Sequence, residues 1–405
     1  LATLGGANGQ LFFSQRRAGG RAKGLFRVAA AELSVDVEWD AARLAMLRLC
    51  LVSGVGPRLR RLLIGRFGSA AAVLSAAPSD LRRVPGIGPK LTEAIARGAR
   101  DVDVAGELAR CRQHEVQVLL EKDAGYPRLL AQLDDSPGVI FQRGAYLPTD
   151  ELAIAIVGSR HATQYGLAQA ERLAASLSRA GLTIVSGLAR GIDGAAHRGA
   201  MGAGGRTIGV LGSGLASIYP PEHVGLADEV AAHGALLSEL PCTYQPLAGT
   251  FPQRNRLISG LSLGVIVVEA AQRSGALITA RHAMEQGHDV FAVPGRVDSP
   301  VSKGCHQLLR DGAKLVESAE DVLEELGPLA APAQHGEGRV VHHPGELLLN
   351  EVEQQILDAI GSEPTLIDRV IATTGLPVSR VLATLSALEI RHLVRRVSGS
   401  LVSRN

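Results

Sequence analysis

The sequence predicts an α/β protein: a mostly parallel sheet with helices on both faces, set between a helical N-terminal domain and a C-terminal unit of three helices and a ribbon. Three observations carry this. A strand–helix–strand pattern spans 153–194, with apolar runs at 153–157 and 182–185 and Ala168, Leu173, Ala174, Leu177 and Ala180 at helical spacing between them. Further apolar runs at 206–211, 235–239, 264–268 and 289–293, and a shorter one at 314–316, alternate with helical patterns, notably 220–233, 275–287 and 318–326. An aperiodic stretch rich in Pro, Gly, Ala and His, 328–348, then separates the end of the chain.

The ends of the composition scale are excluded first. Of 405 residues, 46% are hydrophobic and 20% charged, which suits two or three globular domains. No apolar run reaches the length of a membrane span, so no membrane partner is expected. Cys50, Cys111, Cys242 and Cys305 lie far apart and form no Cys-x-x-Cys pair, which argues against zinc and for a reducing, cytoplasmic setting. Residues 1–36 are Gly-rich with scattered Arg, lack a signal-peptide layout and start at Leu1; they read as a disordered or mis-started extension. Residues 1–122 hold 19 Lys+Arg against 11 Asp+Glu, a net of +8 within an overall +2, so the remainder carries −6. That asymmetry fits a polyanion partner and equally fits a solvated Arg-rich surface.

Residues 37–115 read as helices with short loops. Two related pieces, Leu51-Val-Ser-Gly-Val-Gly-Pro57 and Arg83-Val-Pro-Gly-Ile-Gly-Pro89, place Gly-x-Gly-Pro elements 32 residues apart. Each resembles a helix–hairpin–helix, giving a SAM/helix–hairpin–helix-like domain. Such hairpins hold phosphate through backbone amides or serve as packing units, and both readings stand.

Residues 116–327 form the sheet domain, opening with strand-like Val116–Leu120 and Val139–Phe141. Both turns of the strand–helix–strand unit combine glycine, hydroxyl and arginine: Gly158, Ser159 and Arg160, then Ser186, Gly187, Arg190 and Gly191. Each turn is read as opening a helix. Glycine lets amides approach an anion, a helix start adds partial positive charge, and arginine offers a fork matched to phosphate. The segment Thr250-Phe-Pro-Gln-Arg-Asn-Arg-Leu-Ile-Ser259 adds Phe251, Arg254, Asn255 and Arg256, and Ser274 and Gly275 open another helix after Arg273. On a helix Arg254 and Arg256 do not share a face, so one is free for a ligand while the other fixes the loop. Phe251 is either a base-stacking platform or a staple of the helix start. Aromatics are only 3% of the chain, which excludes a groove of many stacked rings and favours capture of the backbone.

Residues 349–405 read as helices at 351–360, 365–373 and 378–390 and a ribbon at 393–402, which is winged-helix spacing. The third helix offers few amide side chains for base edges, so a protein-binding or auxiliary role is preferred to duplex reading. Other motifs exclude chemistry. Gly212-Ser-Gly214 lacks the rest of a dinucleotide loop, and no Walker sequence or metal-spaced histidines occur. Asp193 and His197, four apart, suit helix capping and local hydrogen bonding better than acid–base work, and Glu269 is a candidate by position alone. No cofactor, metal or catalytic set is therefore expected, and no turnover.

Ile-Val-Gly-Ser-Arg at 156–160, Ser-Gly-Leu-Ala-Arg-Gly-Ile-Asp-Gly-Ala-Ala-His at 186–197, Phe-Pro-Gln-Arg-Asn-Arg at 251–256, Ser-Gly-Ala-Leu-Ile-Thr at 274–279 and Val-Pro-Gly at 293–295 together resemble the DNA-processing protein A family, also called DprA or Smf. The resemblance implies a Rossmann-like sheet domain, homodimerisation through it, binding and protection of incoming single-stranded DNA, and loading of the recombinase RecA during natural transformation. It assigns the Gly-Ser-Arg turn and the Arg-Asn-Arg segment to DNA. Residues 1–36 match nothing in it. The same architecture is similar to nucleoside-monophosphate phosphoribohydrolases, but Pro294-Gly295-Arg296 stands where those enzymes carry a longer Gly-rich loop with a catalytic Glu.

Overall fold

A computed structural model describes residues 38–404 except 328, 330–332, 336–338 and 362; the expected N-terminal extension lies outside the described residues. The apolar runs become one nine-stranded sheet. Its strands are β1 (Gln117–Leu120), β2 (Val139–Gly144), β3 (Ala153–Val157), β4 (Thr183–Ser186), β5 (Thr207–Val210), β6 (Gly234–Ser238), β7 (Gly264–Val267), β8 (Asp289–Ala292) and β9 (Lys314–Leu315). The order across the sheet is β1-β2-β6-β5-β4-β3-β7-β8-β9. From β6 to β9 all neighbours are parallel, while β1 and β2 pair antiparallel and β2 joins β6 antiparallel.

Alternation along each strand sorts residues between two cores. Ala153, Ala155 and Val157 of β3 face helices Thr250–Gly260, Gly275–Glu285 and Lys303–Arg310. Ile154 and Ile156 face helices Gln164–Ala180, Ile192–Gly202 and Ala319–Glu325. This is the Rossmann-like arrangement, and it makes β3 the pivot. From β3 the chain winds outward through β4, β5 and β6, then returns to place β7, β8 and β9 on the other side. Where the winding reverses, a crevice opens beyond the carboxyl ends of β3 and β7, the usual ligand position in such sheets.

The N-terminal helices pack against β1 and β2 through a shared apolar cluster that includes Leu47, Leu108, Val118 and Phe141. Both hairpins take the same form. Gly54 and Gly86 each have φ of +86°, Gly56 and Gly88 precede helices Pro57–Phe67 and Pro89–Asp101, and Val55 and Ile87 are buried beneath. Gly54 lies against Leu91, so the hairpins sit side by side. The first is also bolted to the sheet: buried Arg60 pairs with Glu121 at 2.9 Å and donates to the Ser136 carbonyl, and Arg61 donates to the Leu133 carbonyl.

Two segments depart from expectation. The stretch 328–348 connects the sheet to the last domain but is not without structure. It holds paired strands β10 (Ala333–His335) and β11 (Arg339–Val341), whose Ala333 and Val341 pack on Leu152, then a turn of 3-10 helix at Pro344–Leu348. In the winged helix the second helix begins at Ile367, not 365. Thr365–Leu366 is instead a strand, β12, paired with the wing formed by β13 (Val394–Ser398) and β14 (Leu401–Arg404). The Ile367 N–H donates to the Ser400 carbonyl, so the ladder claims the backbone the helix would need. The second and third helices, Ile367–Thr374 and Val378–Ile390, meet at a bend of 116° across a three-residue turn that starts with Gly375 in the left-handed region, a helix-turn-helix.

Candidate nucleic-acid interface

The crevice beyond β3 is a cleft of about 410 Å³ lined by residues from four segments: Gly158–Arg160, Ala189 with Asp193, Arg254 with Asn255, and Ala271 with Arg273–Gly275. A second hollow of about 360 Å³ adjoins it and shares Arg160, Asn255 and Gly275, with Tyr219, Phe251 and Pro252 as further walls. Residues up to 117 positions apart, Gly158 and Gly275, converge because their strands end at one edge of the sheet.

The two turns of the strand–helix–strand unit are locked to each other. The Ser159 carbonyl accepts from the Ile192 N–H at 3.2 Å. Gly191 has φ of +72°, and a β-carbon there would fall inside contact distance of the Ser159 carbonyl oxygen. Leu188, fully buried, also holds a positive φ of 56°, and its carbonyl is gripped by His223 Nδ1 at 2.9 Å. A strained non-glycine residue of this kind persists only where the surroundings over-determine it.

The first turn differs from expectation in its amides. The Ser159 N–H is spent on the Glu269 carbonyl at 2.7 Å, and Ser159 Oγ accepts from the His161 N–H at 3.1 Å. Nor does that turn open the helix directly. The helix starts at Gln164 behind Thr163, whose hydroxyl donates to Glu269 Oε1 at 2.5 Å while the Thr163 N–H donates to Oε2 at 2.9 Å. Buried Glu269 thereby fixes the helix start. Ser186 is likewise engaged, its hydroxyl donating to the Ile156 carbonyl at 2.6 Å.

The arginines divide into two kinds. Arg160 is exposed and stands 5.3 Å above the centre of the Phe251 ring. Arg273, not among the site residues expected, is exposed and also lines the cleft. Among the described residues neither has a carboxylate within ion-pair distance. Arg190 is half-buried, ion-paired to Glu222 and 5.8 Å from the Tyr219 ring. Arg254 and Arg256 are buried. Arg254 lines the floor of the cleft but donates to the Gly187 carbonyl at 2.7 Å and to the Val210 carbonyl, bracing the ends of β4 and β5. Burial pushes its guanidinium down to about 10, against the opposing pull of nearby Asp193, whose own carboxyl is raised by burial. Gly187 separates the two; a β-carbon on it would lie 2.7 Å from each side chain. Arg256 points away from the cleft, paired with Glu239 and, at 3.6 Å, with Asp135. The structure therefore does not bring Arg256 to the other expected residues, because a helix turns it through about 200° from Arg254.

Phe251 is half-buried, 5.5 Å from the Tyr219 ring at 48°. Tyr219 is a residue that sequence reasoning missed; its one cue is a proline-flanked aromatic in the loop after β5. Asn255 donates to the Gly275 carbonyl at 3.2 Å, tying the Phe251 helix to the next one, and Ser274 caps that helix by accepting from the Ala276 N–H at 3.3 Å. His197 is buried against Thr207, Nδ1 to Oγ1 2.7 Å. The Thr207 hydroxyl donates to the Ile184 carbonyl at 2.8 Å, so it accepts from His197 Nδ1–H, and the ring is neutral, pushed down to about 3 by burial. Asp193 accepts from the Ala189 N–H at 3.3 Å. These contacts tie the helix Ile192–Gly202 to the turn before it and to β5.

Comparison with known proteins agrees with this architecture. Residues 117–327 match the family described as DNA recombination-mediator protein A, 343–400 the DprA winged helix domain, and 46–101 the SAM-like helix-hairpin-helix tandem. Protein Smf of Synechocystis is 35% identical over 380 residues, spanning 86% of this chain and 95% of that protein. DNA processing protein DprA of Bacillus subtilis is 46% identical over 220 residues, spanning 54% and 74%. The crystal structure of DNA processing protein A from Streptococcus pneumoniae superposes with a TM-score of 0.62 at 34% identity, covering 72% of this chain and 99% of that one. Matched in its sheet, in both flanking domains and along more than half its length, the chain belongs to the DNA recombination-mediator protein A family, DprA or Smf.

Proposed function

We propose that this chain binds single-stranded DNA in the cleft beyond β3 and β7, without turnover, and as a homodimer presents the strand to a RecA-type recombinase during DNA uptake. The observation that carries the reading is the pairing of two kinds of group in adjoining hollows. Arg160 and Arg273, both without carboxylate partners, flank the cleft, and the tilted Phe251–Tyr219 pair walls its neighbour. Phosphates take the cations and a base takes the rings. Arg254, Asn255, Gly187 and Gly191 hold the walls at that spacing. With two rings only, sequence preference is weak.

The test is affinity for a labelled oligonucleotide across a salt series. Each arginine lost from a single-strand contact flattens the log–log salt slope by about 0.7. Arg160→Ala with Arg273→Ala should flatten it by about 1.4 while circular dichroism is unchanged. An unchanged slope in a folded double variant would place the DNA elsewhere. Incubation with adenosine monophosphate in parallel should release no base; release would favour the phosphoribohydrolase reading.

A further inference from the structure

The second turn of the cleft is held at three successive residues. The Gly187 carbonyl accepts from Arg254 at 2.7 Å, the Leu188 carbonyl accepts from His223 Nδ1 at 2.9 Å, and the Ala189 N–H donates to Asp193 at 3.3 Å. Arg254 and Asp193 line the cleft, whereas His223 lines neither hollow. It reaches the turn from the loop after β5, 35 residues along the chain. A carbonyl only accepts, so Nδ1 carries the proton. Gly194 leaves room for the ring, since a β-carbon there would stand 3.1 Å from His223 Cε1. Leu188 is where such a hold is needed. It is fully buried at a φ of 56°, a conformation that a bulky side chain rarely takes, so the turn relaxes unless its surroundings prevent it. Without the imidazole, a buried carbonyl loses its donor.

The segment that carries His223 is stiff and meets the cleft at two further points. Pro220 and Pro221 fix φ at two of the five positions 219–223. The Tyr219 ring lies 5.5 Å from the Phe251 ring and 5.8 Å from the Arg190 guanidinium, and Glu222 pairs with Arg190. The Arg190–Glu222 pair is half exposed and adds little rigidity, so the bond from His223 to a buried carbonyl is the stronger tie. We propose that His223 is a positioning residue for single-stranded DNA. Acting through Leu188, it sets Ala189, which walls the cleft, and Ile192, whose N–H holds the Ser159 carbonyl beside Arg160. This role presupposes that the DNA lies in the cleft, while His223 itself touches none of it.

The test compares the full chain with His223→Ala and His223→Asn. The Asn amide nitrogen stands as many bonds from the backbone as Nδ1 and always donates. Hydrogen exchange by mass spectrometry follows peptides spanning 187–191, and affinity for a labelled oligonucleotide follows the cleft, both at a temperature where circular dichroism shows each variant folded. His223→Ala should speed exchange in the turn and weaken binding, each by at least about tenfold, and His223→Asn should bring both back to within about threefold of the unaltered chain. His223→Gln, which keeps bulk but places its donor one bond farther out, takes the place of the Ala variant if that one does not fold. Unchanged exchange, faster exchange with unchanged affinity, or an Asn variant no better than Ala overturns the proposal. Failure of the unaltered chain to bind any oligonucleotide sinks the DNA reading itself, whereas binding that His223→Ala leaves intact sinks only the role of His223.

Discussion

Arg160 and Arg254 are both arginines at the same cleft, yet burial gives them opposite duties. Arg160 is exposed, so Arg160→Ala should leave stability unchanged and weaken oligonucleotide binding by about 1.5–3 kcal/mol, roughly ten- to a hundredfold. Arg254 braces two strand ends and faces buried Asp193; Arg254→Ala should cost about 3–5 kcal/mol of stability, read as a lowered denaturant midpoint. Should Arg254→Ala instead keep its midpoint and lose only affinity, Arg254 would be a direct phosphate ligand. His197 supplies a pH signature. Its folded pKa lies well below the ordinary value, so its contribution is complete above about pH 6.5 and is lost as pH falls toward 3. Between pH 6.5 and 5 that loss should reach about 2 kcal/mol. Unfolding curves at several pH values should show His197→Gln with a shallower slope there, by about one proton.

The turn ending in Gly191 joins the two loops of the cleft, through the Ile192 N–H on the Ser159 carbonyl. Gly191 and Gly204 share a positive φ, but only at Gly191 does a β-carbon meet a carbonyl oxygen. Gly204→Ala should cost about 1–2 kcal/mol of backbone strain and leave DNA affinity intact. Gly191→Ala should cost more and abolish binding; equal effects of the two in both assays would mean the loops are not coupled. Much of this was legible in the sequence. Strands β3 to β8 announced themselves as apolar runs, since a parallel sheet is buried on both faces and leaves no polar alternation. That Gly158–Arg160 and Arg254–Asn255 would meet at one sheet edge was legible because each follows or precedes a strand of the sheet, but not what their polar groups hold: Asn255 reaches Gly275 and the Ser159 N–H reaches Glu269. What was not legible depended on partners far along the chain. Arg254 and Arg256 look alike in sequence, and only Gly187, Val210, Glu239 and Asp135 tell them apart. Tyr219 joins Phe251 from 32 residues away, and the β10–β11 hairpin declares itself only by packing on Leu152.

The flanking domains are tied to the sheet unequally. The winged helix has a core of its own, from Ile356 to Val402. The N-terminal helices share theirs with β1 and β2, reinforced by a bidentate Arg43–Asp123 pair at 2.5 and 2.7 Å and by Glu107, which accepts from the Cys242 N–H at 2.6 Å. A chain ending after Leu348 should therefore melt within a few degrees of the full chain and retain the strand. Residues 116–327 alone should unfold at a markedly lower temperature because that shared face is laid bare. Equal melting of both fragments in scanning calorimetry would show that the N-terminal helices are only appended.

The margins of the sheet bear on how copies of the chain can meet. At one margin β9 is two residues long, and its Lys314 is held between Asp289 and Glu325. At the other, β1 is four residues long and pairs antiparallel with β2, its one neighbour in the sheet. A third chain laid along β9 would gain at most a couple of ladder bonds before running out of template. The β9 edge is therefore a poor place for two copies to join sheet to sheet, which leaves the side chains of helices and loops as the better surface through which a pair would close.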